Sequence, residues 1–136
     1  MVLIDTSAWI DFLNRTGSKA DAAIQAFIAD EEPIAVCPQV IMEFLQGFRS
    51  DRKFDKAEKT LLSLSRVSPS DPDTYIYAAK LYRQCRKKGK TVTSSDCLIA
   101  AIAIENDLPL VHNDADFEVI ATVTGKLKLY DLSQSA

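Results

Sequence analysis

The hydrophobic residues of this chain form short continuous runs that alternate with longer segments of helical spacing. A short continuous run is typical of a strand that is buried on both faces of a parallel sheet. Such runs predict strands at residues 2–4, 34–37 and 108–111, and residues 66–68 and 127–132 are also predicted to be short strands, although they contain polar residues. Apolar positions three and four residues apart predict helices at residues 8–13, 19–29, 39–48, 54–63, 73–88, 96–104 and 117–123. This alternation predicts one parallel sheet with helices on both faces.

Two of the predicted helices begin beside an aspartate. The segment 97–104 is apolar on every side, so its helix is expected to be central and buried, with Asp96 in its first turn. Ser94 or Ser95 can cap this helix, which leaves Asp96 free to point into a cleft. Asp5 directly follows the first strand, and Thr6 or Ser7 can cap the helix after it. The two aspartates therefore have similar predicted positions at element ends.

Asp114 and Asp116 directly follow another predicted strand and so share such positions, and Glu43 can reach the same edge of the sheet from the first turns of its predicted helix. The carboxyl ends of parallel strands meet at one edge of a sheet, where α/β proteins place their ligand sites. Each acid alone also has an ordinary explanation, as a capping carboxylate or as a solvated helix residue. Converging carboxylates, however, raise one another's pKa values unless a cation neutralises them. A set of oxygen ligands predicts Mg²⁺ or Mn²⁺ and chemistry on phosphate esters.

Composition adds limits to this prediction. The 136 residues, 47% of them hydrophobic, fit a single domain over residues 1–136. Cys37, Cys85 and Cys97 are odd in number and include no close pair, so free thiols in a reducing compartment are expected. The first apolar run has no charged segment before it, and the longest run is far shorter than the ~20 residues of a membrane span. We therefore expect a soluble, cytoplasmic protein.

Charge is unevenly distributed along the chain. The net charge of −3 gives no general affinity for nucleic acid, but six of the sixteen basic residues lie near the end of the longest predicted helix. They are Lys80, Arg83, Arg86, Lys87, Lys88 and Lys90. The helix dipole favours cations there whatever the function. The cluster is thus either a solvated helix end or a surface that contacts RNA phosphates.

The acids lie in four segments, VLIDTS (residues 2–7), MEFLQG (42–47), DCLIAA (96–101) and LVHNDADF (110–117). In this order and at this spacing, the segments resemble the PIN-domain ribonucleases over nearly the whole chain. The resemblance is greatest to the VapC-type toxins of bacterial toxin–antitoxin pairs. It implies a three-layer α/β fold with a central parallel sheet of four to five strands flanked by helices.

The resemblance also implies a metal-dependent endoribonuclease. Its catalytic acids would be Asp5, Glu43, Asp96 and Asp114, which would coordinate one or two Mg²⁺ or Mn²⁺ ions, and Asp116 could take or share the fourth role. Thr6, Ser7 and His112 would position the substrate, although many relatives have a threonine in place of His112. The implied partners are an RNA substrate, a VapB-type antitoxin that occupies the cleft, and a second copy of the chain.

Three other classes of protein share parts of this pattern. A phosphoacceptor receiver domain needs an aspartate after a central strand and a lysine after a late strand, but Asp51 follows a helix and no lysine lies between Leu110 and Phe117. A DNA flap nuclease is disfavoured by the small size of the chain. A PIN-like nucleic-acid-binding or signalling domain without nuclease activity remains open at the level of sequence.

Overall fold

The computed structural model describes residues 1–135. Within them, the strands are β1 (Val2–Ile4), β2 (Ile34–Val36), β3 (Ser65–Arg66) and β4 (Leu110–Val111). The α-helices are α1 (Thr6–Leu13), α2 (Lys19–Ala29), α3 (Pro38–Leu45), α4 (Asp51–Leu62), α5 (Asp73–Lys87), α6 (Ser94–Glu105) and α7 (Ala115–Thr124). A 3₁₀ helix, Leu132–Ser135, ends the described part of the chain.

The four strands form one sheet in the order β3-β2-β1-β4, and every pair is parallel. β1 lies between β2 and β4, where Leu3 is paired with Ala35 on one side and with Leu110 on the other. Leu3 and Ile4 are completely buried, as expected for a central strand with helices on both faces. The predicted parallel α/β fold is confirmed.

The helices pack in two groups around the sheet. α1 packs against α2, whereas α5, α6 and α7 pack against one another, most extensively α5 against α6. Crossovers between parallel strands are right-handed, so the helices that follow β1 and β2 cover one face and those that follow β3 cover the other. The predicted burial of the apolar helix is also confirmed, because Ile99 and the stretch from Ala100 to Ala103 are almost inaccessible to solvent.

The predicted strand at residues 127–132 is wrong in extent. Only Leu129 pairs with the sheet, through an isolated parallel bridge to Leu110. In this bridge the Leu110 N–H donates to the Lys128 carbonyl at 2.9 Å, and the Tyr130 N–H donates to the Leu110 carbonyl at 2.8 Å. Because β4 is only two residues long, it offers little edge for a fifth strand to extend along.

In the part of the chain that the structure describes, no helix has both the length and the apolar character that a membrane crossing requires.

Candidate functional site

Three of the predicted site acids converge at the start of α6 and α7. Asp96, Asp114 and Asp116 each place a carboxylate oxygen within 4.8 Å of the oxygens of the other two. Asp96 is buried in the first turn of α6, and the other two are half-buried at the start of α7. We call these three side chains the carboxylate cluster.

Thr93 connects the two helices that form the carboxylate cluster. Its hydroxyl caps α6 by accepting a hydrogen bond from the Asp96 N–H at 3.1 Å, and its own N–H donates to Asp116 at 3.2 Å. The prediction that Ser94 or Ser95 caps this helix is therefore wrong, since both serines lie inside α6. The segment from Thr93 to Asp96 matches the capping pattern of a hydroxyl residue followed by an acid three positions later, so the sequence did contain this signal.

Asp114 and His112 form a compact turn after β4. Asp114 caps α7 by accepting from the Asp116 N–H at 2.9 Å, and the Asp114 N–H donates to Nδ1 of His112 at 3.1 Å. His112 is buried, and its ring lies 5.4 Å from that of Phe117. Burial lowers the pKa of His112, so the imidazole is neutral at physiological pH, with Nδ1 as an acceptor. This geometry suits a residue that orients the Asp114 backbone.

Asp5 occupies the carboxyl end of the central strand β1 and is only 3% exposed. It caps α1 itself, so the prediction that Thr6 or Ser7 would do so is wrong. The Ser7 N–H donates to the Asp5 carboxylate at 3.0 Å, and the Ser7 hydroxyl donates to the same oxygen. The Asn113 N–H in turn donates to the Ser7 hydroxyl oxygen at 2.9 Å. Ser7 therefore connects the end of β1 to the loop after β4. The sequence did not predict that Asn113 takes part in this connection.

Glu43 is held by two hydroxyl groups from distant parts of the chain. Thr6 donates to one carboxylate oxygen of Glu43 at 3.2 Å, and Ser95 donates to the other at 2.9 Å. Gln39, one turn earlier on α3, donates from Nε2 to the Ser95 hydroxyl at 2.8 Å. Ser95 and Glu43 are separated by 52 residues, so no local pattern in the sequence could have revealed this contact.

The acids are electrostatically coupled from one end of the site to the other. Burial, a hydrogen bond shared with Asp116 and the charges of Asp114 and Asp5 together raise the pKa of Asp96 to about 8. Burial also raises the pKa of Asp5, with a smaller contribution from Glu43, although hydrogen bonds from Ser7 oppose the shift. The site therefore resists becoming fully ionised unless positive charge enters it.

Within residues 1–135 the carboxylate cluster has no ion-pair partner, because the one salt bridge joins Lys128 and Asp107 on the surface at 2.7 Å. The buried thiols of Cys37, Cys85 and Cys97 are not part of the carboxylate cluster, and burial raises the pKa of Cys37 to about 11 and that of Cys97 to about 12. The donor set thus consists of oxygens that carry excess negative charge, and it fits a hard divalent cation.

The six predicted RNA-contacting cations are not part of the carboxylate cluster. All six are exposed, four of them on α5 and the other two, Lys88 and Lys90, just beyond its end. The Arg86 guanidinium carbon lies 5.8 Å from the centre of the Tyr82 ring. The six cations are therefore available to a ligand, while their location at a helix C-terminus is equally compatible with a solvated end.

Comparisons with known proteins agree with this geometry. A family model described as the PIN domain matches residues 2–123. The chain is 40% identical over 126 residues to ribonuclease VapC11 of Mycobacterium tuberculosis, which corresponds to 91% of this chain and 94% of the relative. It is 29% identical over 136 residues to ribonuclease VapC1 of Methanocaldococcus jannaschii, with coverage of 96% and 87%.

Solved structures with a similar fold include two toxin–antitoxin complexes. One is VapBC2 from Rickettsia felis bound to a DNA fragment from its promoter, with a TM-score of 0.74, 21% identity, and coverage of 96% of this chain and 98% of the other. The other is DNA-bound VapBC from Salmonella typhimurium, with a TM-score of 0.74, 20% identity, and coverage of 97% and 99%. At this level of identity the likeness concerns the fold.

Proposed function

The chain belongs to the PIN-domain family, and from this we propose that it is an endoribonuclease, the toxin of a toxin–antitoxin pair. The observation that carries the proposal is the carboxylate cluster of Asp96, Asp114 and Asp116 at the starts of two helices. The 40% identity to a VapC ribonuclease over nearly the full length of both chains supports the same activity. The reaction is hydrolysis of RNA phosphodiester bonds.

We propose Mg²⁺ or Mn²⁺ as the cofactor, held by the carboxylate cluster with Asp5 and Glu43 completing the site. The fit rests on the oxygen-only donors, the excess of negative charge and the raised pKa of Asp96. When bound, a divalent ion would offset the carboxylate charges and polarise the phosphodiester toward attack by water.

The residues of the chain contribute orientation and control of protons. The Glu43 carboxylate is fixed by hydrogen bonds from Thr6 and Ser95, one to each of its oxygens. The Asp5 carboxylate is fixed by hydrogen bonds from Ser7. Asp96 holds a proton shared with Asp116 in the metal-free protein and must release it when a cation enters. Thr6 and Ser7 thus act as positioning residues, and His112 does so through the Asp114 backbone.

The proposed partners follow from the relatives. The structural neighbours named VapBC are complexes of a toxin with an antitoxin, so we propose that a VapB-type antitoxin binds this chain and blocks its site. We also propose that the chain forms a homodimer and that it is located in the cytoplasm.

The test compares the wild type with Asp96→Asn, which removes one cluster carboxylate, and with Asp55→Asn, which removes an exposed acid on α4. Each protein is induced in a bacterial host, and new RNA 5′ ends are mapped. Discrete new ends are expected with the wild type and Asp55→Asn but not with Asp96→Asn, and the purified proteins should repeat this pattern on the mapped RNA with Mg²⁺ or Mn²⁺.

One outcome would contradict the proposed nuclease activity. If the folded wild type binds the RNA of the same host but neither it nor Asp55→Asn produces new ends with either metal, the chain is a nucleic-acid-binding domain without nuclease activity.

A further inference from the structure

A groove of about 470 Å³ is lined by residues of α3, α5 and α6. Its walls include Gln39, Tyr75, Ala79, Tyr82, Arg83 and Leu98. Ser95 also lines the groove; it immediately precedes Asp96 of the carboxylate cluster in the chain, and its hydroxyl donates to the Glu43 carboxylate at 2.9 Å. A ligand that reaches the cluster with one group can therefore place the neighbouring group in the groove.

The α5 wall of the groove combines aromatic rings with positive charge. Tyr75, Ala79 and Tyr82 are spaced by four and three residues and so lie on one stripe of the helix. Tyr75 is 48% exposed, so its ring is accessible to a ligand in the groove. Arg83 lines the groove, and Arg86 lies one turn beyond, against the Tyr82 ring.

The charge of this groove distinguishes it from the other large cavity near the site. The second cavity, of about 630 Å³, is lined by Asp114, Glu118 and Asp131 with Lys19 as its one cation, so it repels a phosphate chain. The groove beside α5 has Arg83 and no carboxylate among its lining residues. A polyanion that leaves the cluster is therefore directed toward α5.

We propose that this groove binds an unpaired nucleobase of single-stranded RNA, from the nucleotide next to the phosphodiester held at the carboxylate cluster. The base stacks on Tyr82 and Tyr75, and Arg83 binds an adjacent phosphate. Aromatic platforms combined with cations are the usual means of binding single strands, because every base has a stacking face. The inference rests on the proposed ribonuclease function, and it assigns the groove as the position that holds the base beside the cleavage site.

The experiment measures, by anisotropy with Mg²⁺, the affinity of a fluorescently labelled short oligouridylate with hydrolysis-resistant phosphorothioate linkages, either intact or with one abasic position. The variants are Tyr82→Leu, which removes the ring, and Tyr82→Phe, which keeps it. Tyr77→Leu is the matched control, because Tyr77 lies on the same helix but does not line the groove. Tyr82→Leu should weaken binding about tenfold, the order expected for one base–aromatic stack, while Tyr82→Phe and Tyr77→Leu bind as the wild type does.

The abasic oligonucleotide separates stacking from a general effect on the fold. For the wild type, an abasic position at the correct nucleotide should cost about tenfold in affinity. For Tyr82→Leu the intact and abasic strands should bind equally, since the partner of the base is already absent. An abasic penalty that is the same in both proteins would overturn the inference.

A second copy of the chain is the competing occupant of the groove. If Tyr82→Leu dissociates a dimer and leaves RNA affinity unchanged, the groove is a subunit interface and the inference is wrong. Cleavage of RNA with Mn²⁺ is measured in parallel. If the wild type cleaves while Tyr82→Leu binds RNA normally, only the groove assignment fails. If the wild type neither cleaves nor binds RNA, the proposed function fails with it.

Discussion

Asp96 is the residue whose surroundings oppose its charge most directly. It is 8% exposed, shares a hydrogen bond with Asp116, and faces the negative charges of Asp114 and Asp5. An isolated buried carboxylate avoids this cost by holding a proton, and here the pKa rises to about 8. The metal-free protein therefore keeps a protonated acid near neutral pH. The arrangement suits a bound cation, and in the absence of a cation it lowers the stability of the folded protein.

This cost predicts how the stability of the metal-free protein depends on pH. Between the ordinary aspartate pKa of 3.8 and the folded value of about 8, the folded state holds a proton that the unfolded chain has lost. The free energy of unfolding in EDTA should therefore fall as pH rises through this range. Near the upper end, Asp96→Asn should be more stable than the wild type by about 1–3 kcal/mol and should depend less on pH.

Thermal unfolding in EDTA from about pH 5 to about pH 8 measures this difference. Asp55→Asn provides the control, because the side chain that it changes is exposed on α4. Its profile should follow that of the wild type. A lower stability of Asp96→Asn at the upper end of the range would show that repulsion within the cluster is not what limits stability.

Addition of metal should reverse the effect. A ligand that binds only the folded state at about a hundred times its dissociation constant adds about 2.7 kcal/mol to the free energy of unfolding. Mn²⁺ or Mg²⁺ should therefore raise the unfolding midpoint of the wild type, and more strongly as pH rises, because binding displaces the Asp96 proton. Asp96→Asn should lose most of this gain. Equal stabilisation of the two proteins would place the metal elsewhere.

At the scale of elements, the N-terminal caps of three helices position the acids of the site. The residues that immediately precede α1, α6 and α7 are Asp5, Thr93 and Asp114, and each caps its helix through its own side chain. Thr93 accepts a hydrogen bond from the Asp96 N–H, and Asp114 accepts one from the Asp116 N–H, so each cap fixes the backbone of a cluster acid. The same hydrogen bonds thus stabilise the helices and set the geometry of the carboxylate cluster.

Two N-caps of similar geometry allow these roles to be separated. Thr93 accepts from the Asp96 N–H at 3.1 Å, and Ser18 accepts from the Asp21 N–H at 3.1 Å, at the start of α2. Replacing either by alanine should lower the free energy of unfolding by about 1 kcal/mol. Only Thr93→Ala should also slow metal-dependent RNA cleavage, because it loosens the turn that carries Asp96, and Thr93→Ser should restore the rate. Equal rates for Thr93→Ala and Ser18→Ala would leave Thr93 with a purely structural role.

The sequence predicted the elements better than their ends. The order of strands and helices followed from apolar periodicity, because burial on one face or both imposes a regular spacing. The cap residues were less predictable, since Thr6, Ser7, Ser94 and Ser95 are all acceptable capping types next to the true ones. The strand at residues 127–132 failed for a different reason: its alternating pattern fits a strand, but the length of the pairing depends on β4, a non-local property.

The site was predictable in composition but not in geometry. Asp5, Asp96, Asp114 and Asp116 could be selected because they lie near element ends, which parallel topology brings to one edge, and Glu43 because its helix begins at that edge. Which of them touch could not be read from the sequence: Asp114 and Asp116 both approach Asp96, whereas Glu43 is bound by Thr6 and Ser95 across 37 and 52 residues. Contacts over such separations are set by packing of the whole fold.

At the scale of the whole molecule, an acidic protein has to bind a polyanion. The net charge of −3 opposes RNA at long range, so binding depends on local clusters of cations. Lys87 and Lys88 are exposed at the C-terminal end of α5 and are free of carboxylate partners among residues 1–135. Each phosphate that a cation neutralises releases counterions from the nucleic acid and steepens the salt dependence of binding.

Replacing Lys87 and Lys88 by alanine should therefore weaken RNA binding and reduce the slope of log affinity against log salt by about 0.7 for each phosphate that is no longer neutralised. Lys53 and Lys56, exposed on α4, provide a control double variant with the same change in net charge. The measurement is a salt titration of RNA affinity in EDTA for the three proteins. If the two double variants lose the same affinity and slope, RNA responds to net charge alone, and the end of α5 is a solvated helix terminus. If only Lys87→Ala/Lys88→Ala changes the slope, the phosphate chain follows α5 away from the carboxylate cluster. The two double variants change the net charge equally, so only a local contact with phosphate can make them differ.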